Sequence, residues 1–281
     1  MYLPDKLVKP LSSKIDWCEP NYVVSTNIAE FWNTLSNIPM LVIPLILIYL
    51  YKDYSLKVLH CRFVNIVWAL LVLTAIGSTY FHATLSLLGL FVDEIGILWM
   101  GFAMLGMWLP GVYLPEYFNK NRYHYHVLMI AGAITSTILG LIKPQINHIF
   151  LFFFLIPTLK VAKGQLSRHT SPEFQRLCKR GLVTLAFALV SWVCDRFICS
   201  FWLQIHFPYL HAIWHVLIAI ATYQLGVCCS YSYALHSSPK TNPTLQFWKL
   251  AGSRFIGLCL QGWKSQPILF SFNQIYTYFF I

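Results

Sequence analysis

Apolar residues gather in seven long blocks along the chain, and polar residues collect between them. The blocks run roughly over 29–51, 62–82, 86–109, 125–143, 146–163, 180–200 and 210–235. Each is near the length of about 20 residues that carries an α-helix across a bilayer. Pro110, Pro115, Pro144, Pro172, Pro208 and Pro239 stand near block ends, where a missing N–H costs least. Only Lys143-Pro144-Gln145 separates the fourth block from the fifth, which predicts a tight turn there. The pattern predicts an all-α, polytopic membrane protein, a seven-transmembrane-helix bundle over 29–235. An N-terminal segment, 1–28, precedes it and a tail, 236–281, follows. No soluble domain, repeat or low-complexity tract interrupts this pattern, and the mixed, polar residues 1–27 do not read as a cleavable signal peptide.

Composition agrees with the pattern. Hydrophobic residues make up 57% of the 281 and charged ones only 11%, too few to coat a globule in water. A soluble domain has about a quarter of its residues charged. The net charge of +10 does not point to nucleic acid, because the basic residues are scattered between apolar blocks and form no stripe or known binding module. Their distribution bears on orientation instead. Lys6, Lys9, Lys14, Lys143 and Arg196 fall on the side of the N-terminus, and the other fifteen of the twenty Lys and Arg fall opposite. By the positive-inside rule the N-terminus is expected in the lumen or outside, and the C-terminus in the cytosol. The eight cysteines show no zinc-finger spacing, and most are expected to be small hydrophobes within helices.

Three histidines stand out. His82 closes the second block, four residues after Ser78 and on the same helix face. His211 and His215 open the seventh block, again as an i, i+4 pair on one face. Two histidines so spaced can bind one zinc from a single helix. The end of the second span and the starts of the third and seventh lie at one membrane face, so the three imidazoles and Asp93 share a depth. Three imidazoles leave a fourth zinc position open, the pattern of a catalytic site. The plainer alternative is that each histidine is a hydrogen-bonded polar contact inside the bundle.

The segment before the first span carries Asp16, Glu19 and Asn21 on a short turn, with Glu30 at the head of the span. Hard oxygen ligands clustered this way suit Ca²⁺, and a carboxylate at the membrane edge is costly without a partner. The alternative is a solvated acidic cap before a helix.

In these motifs the chain resembles the alkaline ceramidases from about residue 15 to about residue 236. The resemblance rests on Asp16-Trp17-Cys18-Glu19 with Asn21, and on Ala29-Glu30-Phe31-Trp32-Asn33-Thr34. It continues through Gly77-Ser78 with Tyr80-Phe81-His82-Ala83-Thr84-Leu85-Ser86, then Asp93-Glu94, Phe207-Pro208-Tyr209-Leu210-His211 and Trp214-His215. It implies a seven-span hydrolase that cleaves the amide of ceramide, with zinc on His82, His211 and His215 and with Ser78 and Asp93 as catalytic companions. It implies Ca²⁺ on Asp16, the Trp17 carbonyl, Glu19, Asn21 and Glu30. It also implies a disulfide between Cys18 and Cys199, and a membrane of the endoplasmic reticulum or Golgi. In this scheme Asp93 handles the proton and Ser78 donates to the oxyanion or supports the site from behind.

Beyond about residue 237 the chain departs from that family's tail. Its closing Ile-Tyr-Thr-Tyr-Phe-Phe-Ile is too short to span, which leaves an interfacial segment or an alternative C-terminal exon as the two readings. The nearest rival is a seven-span zinc-containing receptor of the progestin/adipoQ type, which the Asp-Trp-Cys-Glu segment and the lumenal N-terminus oppose. A transporter or channel would place charges at several depths, whereas the acids here cluster at one face.

Overall fold

The computed structural model describes residues 7–50, 64–143, 145–169, 171–237, 244–250 and 253–259. Pro144, Pro239, Cys61, the basic residues Lys6, Lys52, Lys57, Arg62, Lys240 and Lys264, and the closing run 275–281 lie outside them. The chain is an all-α polytopic membrane protein. Its elements are α1 (Phe31–Leu35), α2 (Ile38–Leu50), α3 (Val64–Thr84), α4 (Leu87–Trp108), a 3₁₀ turn (Gly111–Tyr113) and α5 (Glu116–Lys120). They continue with α6 (Arg122–Ile142), α7 (Gln145–Arg168), α8 (Pro172–Phe197), α9 (Cys199–Gln204) and α10 (Leu210–Ser237). Among the described residues, six stretches are long and apolar enough to cross a membrane: Phe31–Tyr49, Asn65–Thr84, Leu87–Trp108, Arg122–Ile142, Pro172–Phe197 and Leu210–His236. The expected fifth block lies within α7, a helix of 24 residues outside those six.

Large apolar side chains project outward along these helices. Examples are Ile66, Leu73 and Ile76 on α3, Ile130, Ile134 and Ile138 on α6, and Val183, Phe187 and Val190 on α8. Small and hydroxyl residues such as Thr74, Ser78, Ser136 and Ser230 are buried between helices. That reversal suits a lipid solvent, where close packing and interhelical hydrogen bonds replace the hydrophobic drive. The most extensive contacts join α3 to α4 and α8 to α10. Gly77 permits the first of these, since a Cβ there would lie 2.7 Å from Val92 Cγ1 and 2.9 Å from the Asp93 amide nitrogen.

Two boundaries and one added element stand out against the hydropathy pattern. The first apolar block breaks at Ser36-Asn37 into α1 and α2. The helix expected over 180–200 starts at Pro172, with Ser171 as N-cap accepting from the Phe174 amide at 3.5 Å. Hydropathy reports where lipid begins, whereas caps and an N1 proline decide where a helix begins. The tail adds a feature absent from the sequence reading, an antiparallel pair of strands, β1 (Thr244–Leu250) and β2 (Ser253–Cys259). Cys259 therefore ends a strand, not a helix. Leu245 packs on the cluster around Trp68, Trp108 and Phe174 at the end of the bundle away from the histidines.

The N-terminal segment is built onto the opposite end. The last carbonyls of a helix have no intrahelical partner. In α3 those of His82, Ala83 and Thr84 accept from the amides of Glu30, Ala29 and Leu11, at 2.9, 3.0 and 3.0 Å. The Ser13 amide bonds the Leu85 carbonyl, and Leu85 leaves the helix in the left-handed region at φ 49°. Ser86 then caps α4 through the Gly89 amide at 3.2 Å. The loop before the first span thus becomes a lid on the end of α3.

Candidate metal centre

His82 lies in the last turn of α3, and His211 and His215 lie in the first two turns of α10. All three are buried, and one ring nitrogen from each lies within 4.8 Å of the others. Ring centroids stand 4.9 Å apart for His82 with either partner and 4.6 Å apart for the α10 pair. Inside an apolar bundle three neutral imidazoles so arranged leave nitrogen lone pairs unused. His82 Nε2 and His211 Nδ1 are buried with no hydrogen-bond partner. Convergent, unsatisfied imidazole nitrogens are what a zinc or similar cation requires.

The rings are held from behind. His82 Nδ1 meets the Glu30 carboxylate Oε2, with neither side chain exposed. Glu30 also accepts from the Trp17 amide at 3.1 Å and the Asn33 side-chain amide at 3.0 Å. His215 Nδ1 meets Ser36 Oγ at 2.7 Å, which turns Nε2 toward Ser78 Oγ at 3.4 Å. His211 is clamped between indoles: Trp17 stacks on it at 3.7 Å and 21°, and Trp214 at 5.3 Å and 23°. Partners of this kind fix the tautomer and orientation of a ligand ring.

Ser78 also stands beside Asp93, across the close α3–α4 approach at Gly77. Asp93 and His211 line one small cavity of about 40 Å³, walled by Trp17, Phe81, Trp192 and Trp214. A second cavity of about 210 Å³ shares Ile97, Trp192 and Trp214 with it and runs deeper to Met104, Leu185 and Leu225. Its lining is almost wholly apolar. His206 stays outside, exposed in the turn before α10.

The acidic turn sits directly over this centre. Asn21 Nδ2 bonds both Asp16 oxygens, at 3.3 and 3.1 Å. Asp16 in turn lies beside the Glu30 carboxylate. Glu19 accepts the Trp32 and Asn33 amides at 2.7 and 2.8 Å, satisfying the first N–H groups of α1. Burial raises the pKa of Asp16, and the neighbouring Glu30 adds to it. Burial likewise raises Glu19, against the lowering effect of the two amides. Two carboxyls side by side and the buried, unpartnered Asn21 Oδ1 fit an oxygen-seeking cation. Each carboxylate oxygen engaged by one N–H keeps a second lone pair.

Cys18 and Cys199 form a disulfide, with Cα atoms 5.4 Å apart across a sequence separation of 181. It ties the acidic turn to the start of α9. Four residues at or beside the site carry no role in the sequence reading: Ser36, Asn33, Trp192 and Asp195. Asn33 lies within a quoted motif, but nothing in its spacing shows that its amide reaches Glu30. Ser36 became a partner of His215 only through the break between α1 and α2.

Comparison with known proteins supplies the remaining observation. The Ceramidase family profile matches residues 9–255. An alkaline ceramidase of Drosophila melanogaster is 39% identical over 245 residues, covering 86% of this chain and 84% of that protein. Alkaline ceramidase 1 of Homo sapiens is 36% identical over 238 residues, covering 84% and 89%. An alkaline ceramidase of Caenorhabditis elegans is 34% identical over 220 residues, covering 76% and 79%. The matched region includes every residue of the histidine centre, the acidic turn and the disulfide, and the chain belongs to the ceramidase family.

Proposed function

We propose that the chain is an intramembrane, zinc-dependent amidase that hydrolyses ceramide to sphingosine and a free fatty acid. The observation that carries this reading is the meeting of three buried imidazoles, one of which shares a small cavity with Asp93, beside a deep apolar cavity. Along α10 that cavity extends from Trp214 to Leu225. At a rise of about 1.5 Å per residue this is roughly 16 Å, about half the hydrocarbon thickness of a bilayer and so the reach of one lipid tail.

His82, His211 and His215 would hold the zinc. When bound, zinc polarises an amide carbonyl and makes water acidic enough to act as a nucleophile near neutral pH. Asp93 is placed to accept the proton of the attacking water and to deliver it to the amine nitrogen as the C–N bond breaks. The Ser78 hydroxyl, held between Asp93 and His215, is placed to donate to the carbonyl oxygen as it gains charge. Glu30 and Ser36 keep the ring nitrogens of His82 and His215 aimed at the centre. The indoles of Trp17, Trp192 and Trp214 wall the reacting amide off from water.

Asp16, the Trp17 carbonyl, Glu19, Asn21 and Glu30 would hold Ca²⁺. Because Glu30 also contacts His82, a cation there would stiffen the metal centre from above. The bundle crosses the membrane seven times with α7 as the fifth span, the N-terminus lumenal and the C-terminus cytosolic. The Cys18–Cys199 disulfide supports that orientation, since such bonds persist on the oxidising side. An endoplasmic reticulum or Golgi membrane suits the same chemistry.

The test is mass spectrometry of sphingosine release from a short panel of ceramides by purified protein, with and without chelator and Ca²⁺. The reading expects release that is lost on chelation and restored by zinc. Undiminished release from metal-stripped protein, or no release from any ceramide, would overturn it.

A further inference from the structure

Asp195 is 1% exposed, in the last turn of α8, and no step of the reaction above uses it. Its two oxygens accept from two backbone amides that are remote in sequence. Oδ2 takes the Cys18 N–H at 3.1 Å, and Oδ1 takes the His211 N–H at 3.2 Å. The His211 N–H is one of the first-turn donors of α10 that lack an intrahelical partner. The residue before Cys18 is Trp17, whose indole stacks on the His211 ring at 3.7 Å. The contacts therefore close a ring: Asp195 to the His211 backbone, His211 ring to Trp17, Trp17 through the chain to Cys18, and Cys18 back to Asp195. The next residue reinforces it, since Arg196 donates to the Asp16 carbonyl at 3.2 Å and its guanidinium lies 5.7 Å over the Trp17 ring. One turn further on, Cys199 is bonded covalently to Cys18.

We propose that Asp195 is a positioning residue of the metal centre, fixing both the backbone and the ring of His211 through this closed circuit. The proposal rests on reading the three histidines as a metal site. Two N–H donors need two acceptors at one side chain, and a carboxylate supplies them. An Asn in its place offers one oxygen and turns an NH₂ toward the second N–H, so one arm of the circuit opens while the side-chain volume is unchanged. A carboxylate beside a helix N-terminus also complements the dipole of α10.

The experiment uses full-length, detergent-solubilised, metal-stripped protein. Co²⁺ binding is followed by its visible absorption, Zn²⁺ affinity by competition, and the thermal midpoint of the metal-free form is measured alongside. Asp195→Asn should weaken Co²⁺ and Zn²⁺ binding by roughly 10–100-fold, the usual effect of losing an outer partner of a metal ligand, and should alter the Co²⁺ spectrum. Asp195→Glu, which keeps both acceptors, should recover part of that affinity. Trp17→Leu cuts the same circuit elsewhere and should give a similar loss. Because the two residues act as one unit, the double variant should bind no more weakly than the weaker single variant. If Asp195→Asn does not accumulate, the Asp195→Glu and Trp17→Leu arms decide. Wild-type affinity in Asp195→Asn or in Trp17→Leu, losses that multiply in the double variant, or a lowered metal-free midpoint with unchanged affinity would each overturn the proposal. Failure of the wild-type protein to bind either metal instead overturns the metal-site reading beneath it.

Discussion

Glu30 and His82 meet inside the protein, carboxylate Oε2 against ring Nδ1, although 52 residues separate them in sequence. The contact exists because the Glu30 amide also bonds the His82 carbonyl, which pins the start of the first span to the end of the third helix. It divides the His82 ring into a nitrogen that is held and a nitrogen that is free to ligate. Glu30→Gln keeps an acceptor for Nδ1–H but loses the charge, and zinc affinity should fall about tenfold. Glu30→Ala should approach 100-fold. Competition with a chromogenic chelator measures both.

In the proposed reaction Ser78 and Asp93 would touch the reacting groups, and neither belongs to the set of convergent nitrogens. Asp93→Asn should therefore retain zinc while kcat falls by about 10²–10⁴, the scale of a lost general base. Ser78→Ala should cost about 10²–10³ if its hydroxyl serves the developing oxyanion. Zinc content by atomic emission, set beside turnover, separates these outcomes from simple loss of the metal.

Gly77 is one of the points where α3 and α4 approach closely beside the site. The Cβ of Gly77→Ala would sit 2.9 Å from the Asp93 backbone nitrogen and 3.0 Å from the Val92 carbonyl carbon, where no flexible side chain can give way. The helices must part, at a cost of about 1–3 kcal/mol for overpacking. Ser78 and Asp93 part with them, so turnover should drop more than stability. A thermal melt and a turnover assay on one preparation check this.

His169, between α7 and α8 at the far end of the bundle, offers a pH prediction. It bonds Gln165 at 2.9 Å and packs against Phe174, Tyr231 and His236. Burial lowers its pKa, and the nearby His236 and Arg168 add to the effect. In the unfolded chain a histidine protonates near pH 6.5. Between that value and the lower folded one, the unfolded state binds more protons, so stability falls as the pH drops below about 6.5. His169→Gln should reduce the difference between thermal midpoints at pH 7.5 and pH 5.5. An unchanged difference would count against it.

The histidine centre was legible because its spacing is local. His211 and His215 lie one turn apart, and span ends have depths that can be counted along the chain. The acidic turn was legible as a cluster of oxygen-bearing side chains but not as geometry. Glu19 spends both oxygens capping α1, and Glu30 divides its own between the acidic turn and His82. Neither arrangement has a periodicity, since both depend on where a loop lands. Asp195 was invisible for the same reason: one carboxylate at the end of an apolar helix carries no sign of the two amides it will meet.

The sequence by itself determined the solvent and the nitrogen donors that converge. Long apolar blocks require lipid around them, and three histidines at matched span ends supply nitrogen donors at one depth. Only the tertiary structure decided what holds those donors. The break at Ser36-Asn37, the packing at Gly77, the lid of the N-terminal segment on α3 and the circuit through Asp195 all join residues far apart in the chain. Hydropathy records the environment of each residue, whereas these contacts arise from backbone hydrogen-bond groups at helix ends that must find partners, and the partners come from wherever the fold brings the chain.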